Sequence, residues 1–515
     1  MISSGTSLAL FLTSFSTSAL AAVVSADIHI TNAVLAPDGF SRDTVVAGGV
    51  FPAPLIKGNM GDEFQLNVFD DLTDSDMDLA TSIHWHGFFQ KTTNYADGVS
   101  FVTQCPLIPG NSYLYDFSVP DQAGTYWYHS HFKNQYCDGL RGPFVVYDPN
   151  DPQASLYDVD DDSTVITLAD WYHYLSTNAP SIPQPTSGLI NGVGRYSGAT
   201  TNPDLAVVGV TAGKRYRFRV INIACDSYFV FSIDGHQLTI IEADGVSTQP
   251  LVVDTLQILA GQRYSVVLNA NQSPDNYWIR SIPARGSTTG GLNSAILRYD
   301  GANVTDPTTS APTSPLALVE TNLHCSNSDC LPLQPGDPTP GGADININLA
   351  VTNVNGTFYV NNQTFTPPSV PVLLQILSGA SNASDLLPSS SIYSLQPNKV
   401  VELTIPGGAP GGPHPLHLHG HTFYVVRSAG NATYNWDNPI IRDVVSTGTT
   451  TSDQTTIRFV TDNPGPWFLH CHIDWHLNEG FAVVFAEDTG DVTTADPAPD
   501  AWKALCPAYD SFISS

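Results

Sequence analysis

A chain of 515 residues is too long for one hydrophobic core and divides into about three domains. Its 40 glycines and 38 prolines, with only 13% charged residues, describe a compact, turn-rich β protein more than a helical one. The formal net charge of −29 argues against nucleic acid or an anionic membrane as partner, because both would be repelled at neutral pH.

Residues 1–21 contain an apolar run from Leu8 to Leu12 and close on Ala19-Leu20-Ala21. A short apolar core followed by small residues is the pattern of a cleaved secretory signal peptide, although here only the α-amino group supplies the positive end. No other stretch is long and apolar enough to span a bilayer, so a secreted, extracellular protein is expected.

The first third carries His84-Trp85-His86-Gly87, then Tyr95-Ala96-Asp97-Gly98, then a run ending His129-Ser130-His131. The middle third has alternating stretches such as Arg215 to Val220, which read as half-buried strands, but no His-x-His. The last third holds His414, His417-Leu418-His419, His421 and the string His470-Cys471-His472-Ile473-Asp474-Trp475-His476. His29, His173, His236 and His324 stand apart and read as structural or surface residues.

Fifteen histidines spread at random over this length would give about 0.4 His-x-His pairs, so four separate clusters are a signal. In a strand, successive side chains point to opposite faces, so Cys471 would face one way while His470 and His472 face the other. One metal can then sit on each side. A thiolate with two imidazoles is the ligand set of a blue-copper electron-transfer centre, which His476 and a distant histidine could complete. Zinc competes, but its structural sites draw on several closely spaced cysteines, and only Cys471 lies among these histidines. A thiol-free imidazole cluster suits copper ions with positions open to dioxygen.

An ungapped internal match aligns Asp121 to His131 with Asp462 to His472, and His84-Trp85-His86-Gly87 echoes His417-Leu418-His419-Gly420. The first and last thirds therefore read as copies of one domain, with Ser130 standing opposite Cys471. If each copy gives four histidines, the cluster must lie at their interface.

Besides Cys471 there are six cysteines, Cys105, Cys137, Cys225, Cys325, Cys330 and Cys506, which an oxidising compartment would pair in one of many connectivities. Sequons at Asn271, Asn303, Asn355, Asn362, Asn382 and Asn431 agree with secretion.

The motifs, their order and their spacing resemble those of multicopper oxidases and, within that family, secreted fungal laccases of the basidiomycete type. The resemblance covers nearly the whole mature chain, including Arg141-Gly142-Pro143, Leu189-Ile190-Asn191-Gly192 and Asp462 to Trp467. It implies an all-β fold of three cupredoxin-like Greek-key sandwich or barrel domains in tandem, over residues 22–150, 151–320 and 321–515, the middle one a spacer that helps form the substrate cleft. It implies four copper ions: type 1 on His414, Cys471 and His476; type 2 on His84 and His417; and a type 3 pair on His86, His129, His472 and on His131, His419, His470. His421 is not a ligand in the family. The implied disulfides are Cys105–Cys506 and Cys137–Cys225, leaving Cys325 and Cys330 as a local bridge.

By the same resemblance, Asp226 accepts the proton of a bound phenol beside His476, while Asp97 and Asp474 supply protons to the cluster; Asp474 is expected within the strand of the His-Cys-His string. The axial type 1 position is Phe481, and the methionines Met1, Met60 and Met77 lie too far away to replace it. Loss of a weak axial donor disfavours Cu(II), so a moderate-to-high potential is expected. Lys133 departs from the small polar residues usual beside the type 1 region. The implied reaction is one-electron oxidation of phenols and aromatic amines coupled to reduction of O2 to water, by a monomer. The alternatives are a ferroxidase or other metal-ion oxidase, which needs acidic residues at the type 1 edge; ascorbate oxidase, which the missing methionine disfavours; and a copper-binding protein without turnover, which the complete ligand sets disfavour.

Overall fold

The computed structural model describes residues 21–514 except 227, 284–290, 327–334 and 387. The leader expected over residues 1–21 therefore lies, but for its last residue, outside the described residues, as does Cys330.

Strand segments dominate, and the same sheet pattern occurs three times. In each copy a short strand runs parallel to a second, which pairs antiparallel with a third, which pairs antiparallel with a fourth. In the first copy these are Ile56–Asn59, Arg141–Tyr147, Gly124–Ser130 and Ile83–His86. In the middle copy they are Val207–Val210, Ser294–Tyr299, Asn276–Pro283 and Phe229–Ile233. In the third they are Ile392–Leu395, Ala482–Glu487, Gly465–Cys471 and Pro415–Leu418. A second sheet completes each sandwich. The all-β expectation is met, and the repeat legible between the first and last thirds extends to the middle one.

Burial separates two kinds of strand. Glu63–Asp70 alternates, with Phe64, Leu66 and Val68 inward and the polar residues between them half-exposed, as a sheet with one wet face must. Gly124–Ser130 and Gly465–Cys471 are buried at every position, because one face lines its own sandwich and the other lines a neighbouring domain. These are the strands that carry the aligned histidines.

Fully buried arginines join the domains. Arg263, of the middle domain, donates two hydrogen bonds to Asp443 of the third, at 2.6 and 2.7 Å, and one to the carbonyl of Thr125 in the first, at 2.9 Å. Arg141 spans the first and middle domains, donating to Asp170 and to the carbonyl of Ile223. Cys137–Cys225 links the same two domains, and Cys105–Cys506 ties the C-terminal helix Leu505–Ile513 to the first. Cys325 is also disulfide-bonded. The other family-like segments act at the same seams. Asn463 donates to the carbonyls of Phe89 and Gly420. Gly465 has φ +150, and a Cβ there would meet the Asn94 amide at 2.7 Å.

Asp496, from the third domain, is fully buried and lies against Asn94 and Tyr95 of the first. Burial pushes its carboxyl up to about 7. A raised carboxyl pKa means that folding favours the neutral form; that contribution is complete below the ordinary carboxylate range and is lost as pH rises through about 7. Asp496→Asn should therefore melt at the same temperature as the parent at about pH 4 and at least ~2 °C higher at about pH 8. Calorimetry showing the parent more stable at the higher pH would contradict this.

Candidate copper centres

Strand register brings the histidines together. His84 faces His129 across the first pair of strands, and His417 faces His470 across the third. In the same register Ile83 pairs with Ser130 as Leu416 pairs with Cys471, so the serine of one copy and the cysteine of the other fall at equivalent points. The middle strands Phe229–Ile233 and Asn276–Pro283 occupy the same places and hold no histidine.

Each cluster imidazole is aimed by a partner. His84 Nδ1 donates to the carbonyl of Asp97 at 2.7 Å and His417 Nδ1 to that of Asp443 at 2.9 Å. His129 and His470 Nδ1 donate to the carbonyls of Ser130 and Cys471, at 2.8 and 2.9 Å. A carbonyl can only accept, so these Nδ1 atoms carry the proton and the Nε2 lone pairs face inward. The carboxylates cross between the copies. Asp97 Oδ2 accepts from His419 Nδ1 at 3.0 Å, while Asp443 Oδ1 lies 3.4 Å from His86 Nε2. His86 is thereby turned so that Nδ1 points inward, 3.2 Å from His472 Nε2.

The inward atoms fit metal ions. The Nε2 atoms of His84, His129, His131 and His417 are buried with no hydrogen-bond partner, a state that costs about 1–3 kcal/mol each unless something else is bound. Burial, reinforced by the neighbouring imidazoles, pulls His86, His129, His131, His417, His419 and His472 well below the usual histidine range and His470 to about 3. These rings are neutral, as ligands must be. Donor atoms of His86, His129 and His472 lie within 4.8 Å of one another, as do those of His131, His419 and His470, and those of His84, His86 and His417.

The second centre lies on the other side of Cys471. Its Sγ is 3.5 Å from His414 Nδ1 and 3.8 Å from His476 Nδ1, and the two Nδ1 atoms are 3.2 Å apart. Cys471 is fully buried, and burial pushes its thiol up, so a bound cation is what would hold it as thiolate. Phe481 packs at 5.1 Å between ring centroids from His414 and stacks on Phe358 at 5.0 Å. Its backbone accepts from the Cys471 amide and donates to the His476 carbonyl.

Here one expectation is corrected. The string is a strand only as far as Cys471; residues Asp474–Asn478 form a helical turn. In a continued strand, Cys471 and His476 would be about 16 Å apart and on opposite faces, so the turn is what returns His476 to the sulfur. Asp474 therefore begins the helix instead of lying in the strand. It is buried, accepts from the Asn134 side chain at 3.1 Å, and its carboxyl is pushed by burial up to about 8. His476 is half-exposed where Cys471 and His414 are buried. It opens on a cleft of about 590 Å3 lined by Asp226, Ile182, Phe358, Pro410, Trp475 and Glu479 among others. Lys133 does not line that cleft and instead pairs with Asp78 at 2.5 Å. His421 accepts no ligand role either: it pairs with buried Glu487 at 3.1 Å. His29, His173 and His236 have ordinary partners in Asp71, Asp38 and Tyr299.

Asp443, Phe358 and Tyr136, whose hydroxyl donates to the His472 carbonyl at 3.2 Å, went unnoticed in the sequence. None lies in a histidine motif. The one available cue was the Arg442-Asp443 pair in an otherwise apolar stretch.

Models of the multicopper oxidase family match residues 29–151, 162–302 and 365–491. The chain belongs to the multicopper oxidase family, which implies that it binds copper. It is 62% identical over 497 residues to Laccase-1 of Trametes villosa, covering 95% of each chain, and 60% identical to a laccase of Trametes hirsuta, covering 97% and 98%. Among solved structures it resembles the laccase of Botrytis aclada, with a TM-score of 0.83 at 31% identity over 96% and 94% of the two chains. It also resembles Fet3p, a multicopper oxidase that functions in iron import, with a TM-score of 0.82 at 27% identity over 95% of each. Within the family the chain is an oxidoreductase of the laccase type. No helix among the described residues is long and apolar enough to cross a membrane.

Because the inward-facing nitrogens come from both the first and third domains, chelating the copper should loosen the seam between them. The metal-free protein should melt several degrees lower, with amide exchange rising first in Ile83–His86 and Pro415–Leu418. Unchanged exchange in those two strands would show that the seam holds without metal.

Proposed function

We propose that the protein is a secreted, monomeric laccase that oxidises phenols and aromatic amines in the cleft beside His476 and reduces dioxygen to water among the clustered histidines. Four copper ions are assigned, with type 1 on His414, Cys471 and His476 and type 2 on His84 and His417. The type 3 pair is assigned to His86, His129, His472 and to His131, His419, His470. When bound, copper would supply the redox chemistry, accepting single electrons at the sulfur site and passing four to dioxygen in the cluster.

The observation that carries this assignment is the placing of Cys471 in one donor group and of its chain neighbours His470 and His472 in the other. The path between the groups is a few covalent bonds, with a parallel link from the Cys471 carbonyl to His470 Nδ1. His476 turns Nδ1 toward the sulfur and leaves its other edge to the cleft. Aliphatic and aromatic walls from Ile182, Phe358 and Trp475 suit a planar ring. Asp226 takes the phenolic proton as the electron leaves, which avoids a high-energy radical cation. Reduction of dioxygen to two waters consumes four protons. Asp97, in contact with His419, and Asp474, buried beyond His472, pass protons toward the cluster. Phe481, packed on His414, has no donor atom to offer an ion held by His414, Cys471 and His476, which would favour the reduced ion and a moderate-to-high potential. The disulfides and sequons support the secretory route.

Two variants test the roles. Cys471→Ser should abolish the blue absorption and oxygen uptake with dimethoxyphenol while the other copper ions stay bound. Asp226→Asn should lower kcat/KM for that phenol by at least about tenfold and leave ferrocyanide, which has no proton to lose, nearly unaffected. Equal losses for both donors would remove Asp226 from proton transfer, and oxygen uptake with Fe(II) but no phenol would favour a metal-ion oxidase.

A further inference from the structure

The cleft beside His476 has one wall that is also a modification sequence. Strands Val351–Val354 and Thr357–Val360 form a hairpin whose two-residue turn is Asn355-Gly356. Both turn residues have positive φ, +53 and +95, the conformation that two-residue hairpins require and that Asn-Gly supplies best. Asn353 clamps the turn, donating to the Gly356 carbonyl and accepting from its amide. Phe358, opposite Asn353 and one pair below the turn, packs on His476 at 4.7 Å between ring centroids. The turn end of the hairpin is thus held beside His476 and forms part of the cleft wall.

Asn355-Gly356-Thr357 is a sequon. Asn355 is exposed, lines the cleft together with Gly356, and its amide makes no hydrogen bond among the described residues. Two of the other sequons have engaged side chains. The Asn382 amide is engaged by Asp385 and the Asn271 carbonyl by Gln272. Among the residues described as lining the cleft, Asn355 is the sequon asparagine.

We infer that Asn355 carries an N-linked oligosaccharide that stands at the mouth of the cleft and selects against bulky phenolic substrates. The modification rests on the secretory route proposed above. During secretion, Asn355 Nδ2 would attack the anomeric carbon of a lipid-pyrophosphate-linked oligosaccharide. The N–C bond forms, the sugar C–O bond to pyrophosphate breaks, the amide loses a proton, and the lipid pyrophosphate leaves. A branched glycan fixed to a rigid turn excludes volume in front of a cleft of about 590 Å3. A single-ring phenol passes beside it, whereas an oligomeric lignin fragment must displace it.

The test uses the full-length protein secreted from a fungal host. Peptide mass spectrometry reads occupancy at all six sequons. Oxygen uptake gives kcat/KM for dimethoxyphenol and for a soluble phenolic oligomer, before and after endoglycosidase trimming of the native protein. Thr357→Ala removes the sequon but keeps Asn355, and Thr433→Ala removes the Asn431 sequon, outside the cleft, as control. The expected result is a glycan at Asn355 and a rise of at least about threefold in the oligomer-to-monomer kcat/KM ratio on trimming or in Thr357→Ala, with no rise in Thr433→Ala. A bare Asn355 with glycans at other sequons would overturn the inference alone. No glycan at any sequon would overturn the secretory route as well. An occupied Asn355 with an unchanged ratio would leave a glycan but remove its role as a filter.

Discussion

The structure is organised around buried imidazole nitrogens that face one another across the seam between the first and third domains. Such a concentration of unpartnered polar atoms opposes folding by about 1–3 kcal/mol per atom, so the rest of the molecule must hold it in place. Carbonyls of Asp97, Asp443, Ser130 and Cys471 fix the tautomers. Arg263 clamps Asp443 while reaching the first domain through Thr125. The middle domain thus supports the cluster, and Gly261 explains how closely: a Cβ there would stand 2.9 Å from the His472 ring. A metal at the centre changes these opposing atoms into ligands.

The two outer domains build the seam by exchange. Each supplies an aspartate whose carbonyl orients its own histidine and whose carboxylate reaches toward the other domain: Asp97 to His419, and Asp443 to His86. One imidazole in each half is thus met by a carboxylate of the other. At one equivalent strand position, Ser130 hydrogen-bonds to Gln135 whereas Cys471 faces His414 and His476. The repeated strands give the cluster its near-symmetry, and a single sulfur gives one side a second group of donor atoms.

The histidine ligands were legible because period-2 spacing survives in any strand, whatever surrounds it. The same rule failed beyond Cys471. Extending the strand through Asp474 overlooked that a sulfur and an imidazole five residues apart meet on one ion only if the chain turns back, as the helix Asp474–Asn478 makes it do. Asp443 and Phe358 were invisible for a different reason. An Asp bonded through both its carbonyl and its carboxylate, or a Phe beneath two histidines, leaves no mark in its neighbours along the chain. The direction of Lys133 was likewise not legible, because sequence position does not fix where a long side chain points: it turns to Asp78 at the surface.

The sequence by itself determined the all-β class, the relation between the first and last thirds, the kinds of donor atom present and the adjacency of Cys471 to His470 and His472, because these reside in residue identity and short-range spacing. The tertiary structure alone decided which histidine nitrogens face inward, that the middle third repeats the same sandwich, and that a glycosylation sequon borders the substrate cleft. Those features depend on hydrogen bonds and packing between segments up to several hundred residues apart, and short-range pattern carries no record of them.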